Sequence, residues 1–280
     1  MSKQRMGDLS KDRVTLERPF YCWGIDYVGP VSVLKYRGRG AKTTKGYIVI
    51  FVCFATKALH LELVSDYTSE TFIAALKRKL GELFKHLSKI TNEEKVCCFL
   101  SQREIEWHTI PPLSPHFGGL WEAGVKSVKF HLKRVVGSIN LTFEEFYTLL
   151  TNRGGIECSR PLVRLVDNDI DSLNVLTPSH FLVGEEIIGP PETVEESKLT
   201  LKGRWDIVQK LKLNFWKRWQ IDYLNSIQGR TKWKSGTSNI KIDVVIIKEG
   251  DLLPSVWPLG KVISTHPGKD GIVRVVTLKT

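Results

Sequence analysis

The sequence predicts an α/β fold in which helices flank a β-sheet and a long helix leads into a small C-terminal β-barrel. Three observations predict it. Residues 20–64 hold three β-type runs in series, helical periodicity takes over from residue 68, and residues 236–280 return to short β-rich runs cut by Gly, Pro and Asp. At 280 residues, with 42% hydrophobic and 25% charged, the chain can bury one large core or two modest ones.

The elements follow in order. Phe20–Val33 reads as a first strand ending at Gly29-Pro30, Tyr47–Ala55 as a second and Leu59–Val64 as a third, all antiparallel. Between the first two, "KYRGRGAKTTKG" is a basic, glycine-bearing hairpin turn. Its plainer reading is a solvated loop; a phosphate-contacting loop is the other. "LHLELV" alternates apolar and polar residues, which places Glu62 toward solvent.

"TSETFIAALKRKLGELFKHL" opens on a Thr68 or Ser69 cap and carries Ile73, Leu76, Leu80, Leu83 and Leu87 at spacings of three and four, a core-facing helix. "VCCFL" and "IEWHTIPP" suit short strands. In "SPHFGGLWEAGVKSVKFHLKRVVG", Trp121, Val125, Val128, Leu132 and Val135 form one helical face, and Glu122, Lys126, Lys129 and Lys133 the face beside it. From this segment alone, Glu122 is an acid favoured by the helix dipole and placed to pair with Lys126.

"LTFEEFYTLL" is a further helix capped by Thr142, "TNRGGIECSRPL" is broken by glycines, and residues 185–200 read as a linker. Trp205, Val208, Leu211 or Lys212, Phe215, Trp219 and Tyr223 then mark a long aromatic helix whose stripe suits packing better than base stacking.

A net charge of +11 favours polyanionic partners, nucleic acid first among them. The five cysteines form no C-x-x-C pair and three lie in apolar runs, so a reducing, intracellular setting is expected. The longest apolar run, Tyr47–Ala55, falls well short of the ~20 residues a membrane helix needs, and no membrane association is expected.

Taken together, "WGIDYVGP", "KALHLELV", "IEWHTIPPLSPHFGGLWEAGVKSVK", "LTPSHFLVG", "FWKRWQIDYL" and "WPLGKV…HPGKDGIVRVVTLKT" resemble the integrases of BEL/Pao-type retrotransposons, from about residue 6 onward. The resemblance implies an RNase H-like mixed sheet flanked by helices over residues 20–184, after a tail at 1–19. A linker and helical connector at 185–235 and an SH3-like barrel at 236–280 complete the layout. It implies a nuclear protein carrying out metal-dependent 3′ processing and strand transfer of DNA, with Mg²⁺ or Mn²⁺ as cofactor. Asp26 matches the first metal-binding carboxylate and Glu122 the last. Lys126 and Lys129, with Lys133 and Arg134 on the same helix, would lie along the DNA backbone. Self-association is expected by the same resemblance, and a small-molecule substrate is not.

The chain departs from that family in three places. The segment resembling S-D-N-G-T-N-F, which brings a fourth strand and the second aspartate, is missing, and two helices join near Arg78 and Lys79 with their apolar stripe in phase. The sheet is therefore expected to lack one strand beside the first, and the metal site one ligand. Glu104 and Glu106 have no spacing that recommends either as a replacement. "RGGIECSRPL" stands where the family has an unbroken helix, and the zinc-binding His/His/Cys/Cys module is absent.

Overall fold

The computed structural model describes residues 11–15, 18–84, 108, 118–165, 173–186, 203–228, 239, 243–248 and 253–280. "VCCFL", Glu104, Glu106, nearly all of "IEWHTIPP" and most of the 185–200 linker lie outside them. The chain divides into two compact units, Met1–Gly154 and Gly155–Thr280.

The first unit is mixed α/β. A short helix α1 (Lys11–Val14) precedes strands β1 (Trp23–Leu34), β2 (Thr43–Cys53) and β3 (Leu59–Val64), then helices α2 (Ser69–Phe84) and α3 (Gly119–Val135). Strand β4 (Leu141–Thr142) leads directly into α4 (Phe143–Cys158). The sheet order is β3-β2-β1-β4, antiparallel except for β1 with β4. Along β1, Trp23 to Val28 pair with Cys53 to Ile48, and a bulge at the cis Gly29-Pro30 bond shifts the register to Val31↔Gly46 through Leu34↔Thr43. The three antiparallel strands expected in series are present.

Strand β2 explains why this sheet has two covered faces. Ile48, Val49, Ile50, Phe51, Val52 and Cys53 are each at most 1% exposed, so its apolar run is that of a strand buried on both sides rather than an alternating one. Val49 and Phe51 pack with Val64 and with Ala75 and Leu76 of α2, ringed by Trp23, Ile25, Tyr27, Tyr47 and Phe72. Ile50 and Val52 face the other way, toward α3: a Cβ added at Gly124 would stand 3.0 Å from Ile50 Cδ1 and 3.3 Å from Val52 Cγ2. Each such buried Ile, Val or Phe contributes roughly 1.5–3 kcal/mol, so this central strand anchors the unit.

Helix α2 runs unbroken through the expected joint. Arg78 donates from Nε to Glu62 Oε2 at 2.6 Å. Lys79, 3% exposed, sets its ammonium 4.7 Å from the Trp23 ring centroid and 5.7 Å from that of Phe20. The outer edge of β1 differs from its inner one. Among the described residues only Val33 and Leu34 have a partner there, Leu141 and Thr142 of β4. From Trp23 to Ser32 that edge has no strand partner among the described residues.

Two expectations are corrected here. Glu62 does not face solvent; it is 2% exposed, because α2 covers the face on which it points and Arg78, His60 and Tyr147 compensate its carboxylate. The glycine-broken reading of "TNRGGIECSRPL" also fails. Helix α4 continues through Gly154 and Gly155 to Cys158, with Arg153, Ile156, Glu157 and Cys158 buried around the pair. Packing outweighs the helical cost of about 1 kcal/mol per glycine. The helix begins as Thr142 predicts, in a reciprocal capping box: Thr142 N–H donates to Glu145 Oε2 at 2.9 Å and Glu145 N–H to Thr142 Oγ1 at 3.4 Å.

The second unit holds the end of α4, a two-stranded ladder of β5 (Val163–Arg164) and β6 (Val175–Leu176), α5 (His180–Val183), α6 (Arg204–Ile227) and a small sheet. That sheet is an antiparallel meander of β7 (Val244–Ile246), β8 (Leu259–Pro267) and β9 (Val273–Lys279). "LTPSH" folds into a buried knot in which Thr177 Oγ1 meets Ser179 Oγ at 2.6 Å and His180 Nδ1 at 2.9 Å.

The aromatic stripe of α6 is core, as its spacing predicts. Trp216 and Trp219 are 1% and 7% exposed, and Trp257 packs edge-on against both and against Tyr223. Trp257 Nε1 donates to Ser159 Oγ at 3.3 Å, and Tyr223 donates its hydroxyl to the Pro161 carbonyl at 2.6 Å. Trp205 does not belong to the stripe: it stands at the open first turn, 59% exposed.

Candidate nucleic-acid interface and carboxylate pair

Asp26 lies in the middle of β1, half-buried, with Oδ1 accepting the Tyr27 N–H at 2.7 Å. Its side-chain direction follows from its neighbours. Gly24, two residues earlier and so on the same face, approaches α3 so closely that an added Cβ would land on Trp121 Cε3. Ile50, directly opposite Asp26 and again on the same face, touches Gly124. Asp26 therefore points to the face across which the first two turns of α3 are laid.

Glu122 sits in the first turn of that helix, exposed. The expected pairing with Lys126 is not made. The carboxylate instead turns back toward the helix N-terminus, where a Cβ at the N-cap Gly118 would be 2.9 Å from Glu122 Oε1 and 2.9 Å from Trp121 Nε1. Glycine at 118 leaves the volume in which the carboxylate rests, and the positive end of the helix dipole favours it there. Asp26 thus points to the sheet face that α3 covers, and Glu122 is carried on the first turn of that helix.

Lys126, Lys129, Lys133 and Arg134 are all exposed on α3, as expected. Arg134 lies over the exposed Phe130 ring, its Cζ 3.2 Å from the centroid. The buried side of the helix is rotated from the predicted one: Gly124, Val128, His131 and Val135 are buried, while Val125 and Leu132 are only half-buried. Gly124 carries no side chain to signal a close approach to β2, which is why the apolar pattern missed it.

Asp26 and Glu122 are hard oxygen donors of the kind Mg²⁺ and Mn²⁺ prefer, and Mg²⁺ commonly takes one or two carboxylates plus substrate phosphates. The donor set fits one such ion held jointly with a phosphodiester. Among the described residues no group of three or more His, Cys, Asp or Glu side chains converges. Glu62 does not supply the third acid. It pairs with Val49 across β3 and β2, so it lies on the opposite sheet face from Asp26. Burial would raise its pKa, but the hydrogen bonds and charges of His60 and Arg78 outweigh burial and hold the carboxyl below its ordinary value.

These features define a mixed α/β protein with an exposed basic helix laid across a sheet face beside one strand carboxylate. Residues 203–280, from α6 through the C-terminal sheet, match a family of unknown function (DUF5641). No curated protein is similar to the chain. Among the described residues Cys22, Cys53 and Cys158 form no disulfide. Among the described residues no helix is long and apolar enough to cross a membrane.

Proposed function

We propose that this chain derives from a BEL/Pao-type retrotransposon integrase, that it binds DNA through the exposed face of α3, and that its strand-transfer chemistry is impaired by loss of the second catalytic aspartate. On this reading the first unit is an RNase H-like core short of one strand, and the C-terminal sheet belongs to an SH3-like barrel. The observation that carries the proposal is the placing of Asp26 and the head of α3 on one sheet face, with four exposed basic residues leading away from it. A bound divalent ion would supply Lewis-acid stabilisation of a phosphodiester oxygen. Asp26 and Glu122 would hold it, and Lys126, Lys129, Lys133 and Arg134 would position the DNA backbone.

The count of two carboxylates favours binding over cutting. The test is a nicking and joining assay on a labelled duplex with Mn²⁺ or Mg²⁺, run beside Asp26→Asn and Glu122→Gln and paired with a binding titration across salt. Expected are salt-steep, sequence-indifferent binding and little or no metal-dependent cleavage. Efficient cleavage abolished by both substitutions would overturn the impairment, and absence of duplex binding would overturn the whole reading. Binding with no cleavage at any metal concentration assigns the chain to a purely DNA-binding remnant.

A further inference from the structure

We infer that the β1–β2 hairpin is a second phosphate-binding arm, continuous with the basic end of α3, that grips the backbone of the same DNA duplex. The inference rests on the nucleic-acid reading above and extends its footprint beyond α3.

The hairpin is a built element. Lys35 N–H donates to the Lys42 carbonyl at 3.0 Å and Ala41 N–H to the Gly38 carbonyl at 3.3 Å, and Gly40 takes the left-handed φ of +77° that the turn requires. Lys35, Arg37, Arg39, Lys42 and Lys45 are all exposed, and no acidic residue interrupts them from 35 to 47. Such a run raises the local potential instead of cancelling it. Arg37 has a different task from the rest: its Nε lies 3.4 Å from Glu145 Oε1. Glu145 is 5% exposed and its other oxygen caps α4, so Arg37 latches the arm to a buried, hydrogen-bonded acid.

Topology brings this arm to the lysines of α3. The helix starts against Gly24, near the beginning of β1, and lies along the sheet. The chain then returns from Val135 to Leu141, a reach of at most ~20 Å over six residues, and Leu141 pairs with Val33 at the far end of β1. The last turn of α3, with Lys133 and Arg134, therefore ends within ~20 Å of the strand end from which the hairpin projects. Two basic elements at one end of one sheet suit a continuous polyanion better than an isolated anion, since backbone contacts from several elements fix a duplex in register.

The test compares two triple variants of the full chain, Lys35→Gln/Arg39→Gln/Lys42→Gln in the hairpin and Lys126→Gln/Lys129→Gln/Lys133→Gln in α3, by duplex binding across salt. All six side chains are exposed, so both variants should unfold at the wild-type temperature. The hairpin variant is expected to lower the magnitude of the salt slope by about 2.7, three contacts at ~0.9 each, and the α3 variant by a similar amount. A hairpin variant that keeps the wild-type slope while the α3 variant loses its share overturns the arm and leaves the α3 reading intact. Wild-type protein that fails to bind duplex at all overturns both. Loss of polyglutamate binding with duplex binding retained would assign the arm to an acidic polypeptide and overturn the proposal.

Discussion

Removing the guanidinium of Arg78 measures what its pairing with Glu62 contributes to the seating of α2. Glu62 is 2% exposed; Oε2 accepts from Arg78 Nε at 2.6 Å, and Oε1 meets His60 Nε2 at 2.9 Å and the Tyr147 hydroxyl at 3.5 Å. Breaking a fully buried ion pair from one side costs roughly 3–5 kcal/mol, and a hydrogen bond to a charged group is worth about 1.5–3. Arg78 is 44% exposed, so water replaces part of what is lost and the lower range applies. Arg78→Met is therefore expected to destabilise the chain by about 2 kcal/mol, read from urea unfolding followed by circular dichroism at unchanged m. The double variant Glu62→Met/Arg78→Met should recover part of that loss, because the uncompensated carboxylate is gone. The pH dependence has a definite sign. The folded carboxyl of Glu62 is held below its ordinary value of 4.5, so its contribution is complete above that pH and fades as pH falls through the lower folded value. Arg78→Met should move that acid limb to higher pH. A cost below about 0.5 kcal/mol, with no recovery in the double variant, would refute the argument and make Arg78 an ordinary surface partner.

Gly24→Ala should destabilise the first unit by about 1–3 kcal/mol, since the new Cβ lands on a Trp121 ring already stacked on Phe54; tryptophan-fluorescence unfolding measures it, and Trp121→Ala should partly restore the Gly24→Ala variant. Trp257→Ala should cost roughly 3–5 kcal/mol in the second unit, because Trp257 is 8% exposed and closes the cluster of Trp216, Trp219 and Tyr223. Loss of the near-ultraviolet dichroism of that cluster before the far-ultraviolet signal is the expected signature.

What was legible in the sequence was whatever a short window determines. The apolar run of β2, the stripe of α2 at Leu76, the aromatic spacing of α6 and the Thr142 cap all act within a few residues, and each appears where its pattern places it. Glu62 was misread because alternation reports only that one strand face is polar, and the Arg78 that compensates it lies sixteen residues away in a different element. Gly154 and Gly155 suggest a break because propensity is local, whereas the burial of their helix neighbours Arg153, Ile156 and Cys158 against the rest of the fold outweighs it. In the candidate site, the residue types Asp26 and Glu122 stood out by resemblance. The seating of α3 over the face of Asp26 did not, since it depends on Gly24 and Gly124, two positions with no side chain to read.

The arrangement around β1 separates stability from the proposed chemistry. Helix α2 is seated on the face of Val49 and Phe51, where Arg78 and Lys79 are held by Glu62, Trp23 and Phe20. Asp26 belongs to the other face. Among the described residues its strand is paired at that level only on the β2 side, through Ile50, because the outer-edge pairing is confined to Val33 and Leu34. Its position relative to Glu122 then depends on how tightly α3 is seated, which the contacts of Gly24 with Trp121 and of Gly124 with Ile50 determine. A carboxylate pair needs its supporting shell fixed to within fractions of an ångström to organise an ion and a phosphodiester. Substitutions at Arg78 or Lys79 should therefore lower stability while leaving any residual metal-dependent activity unchanged per folded molecule. Substitutions at Gly24 or Gly124 should lower both, because they unseat the helix that carries the second carboxylate.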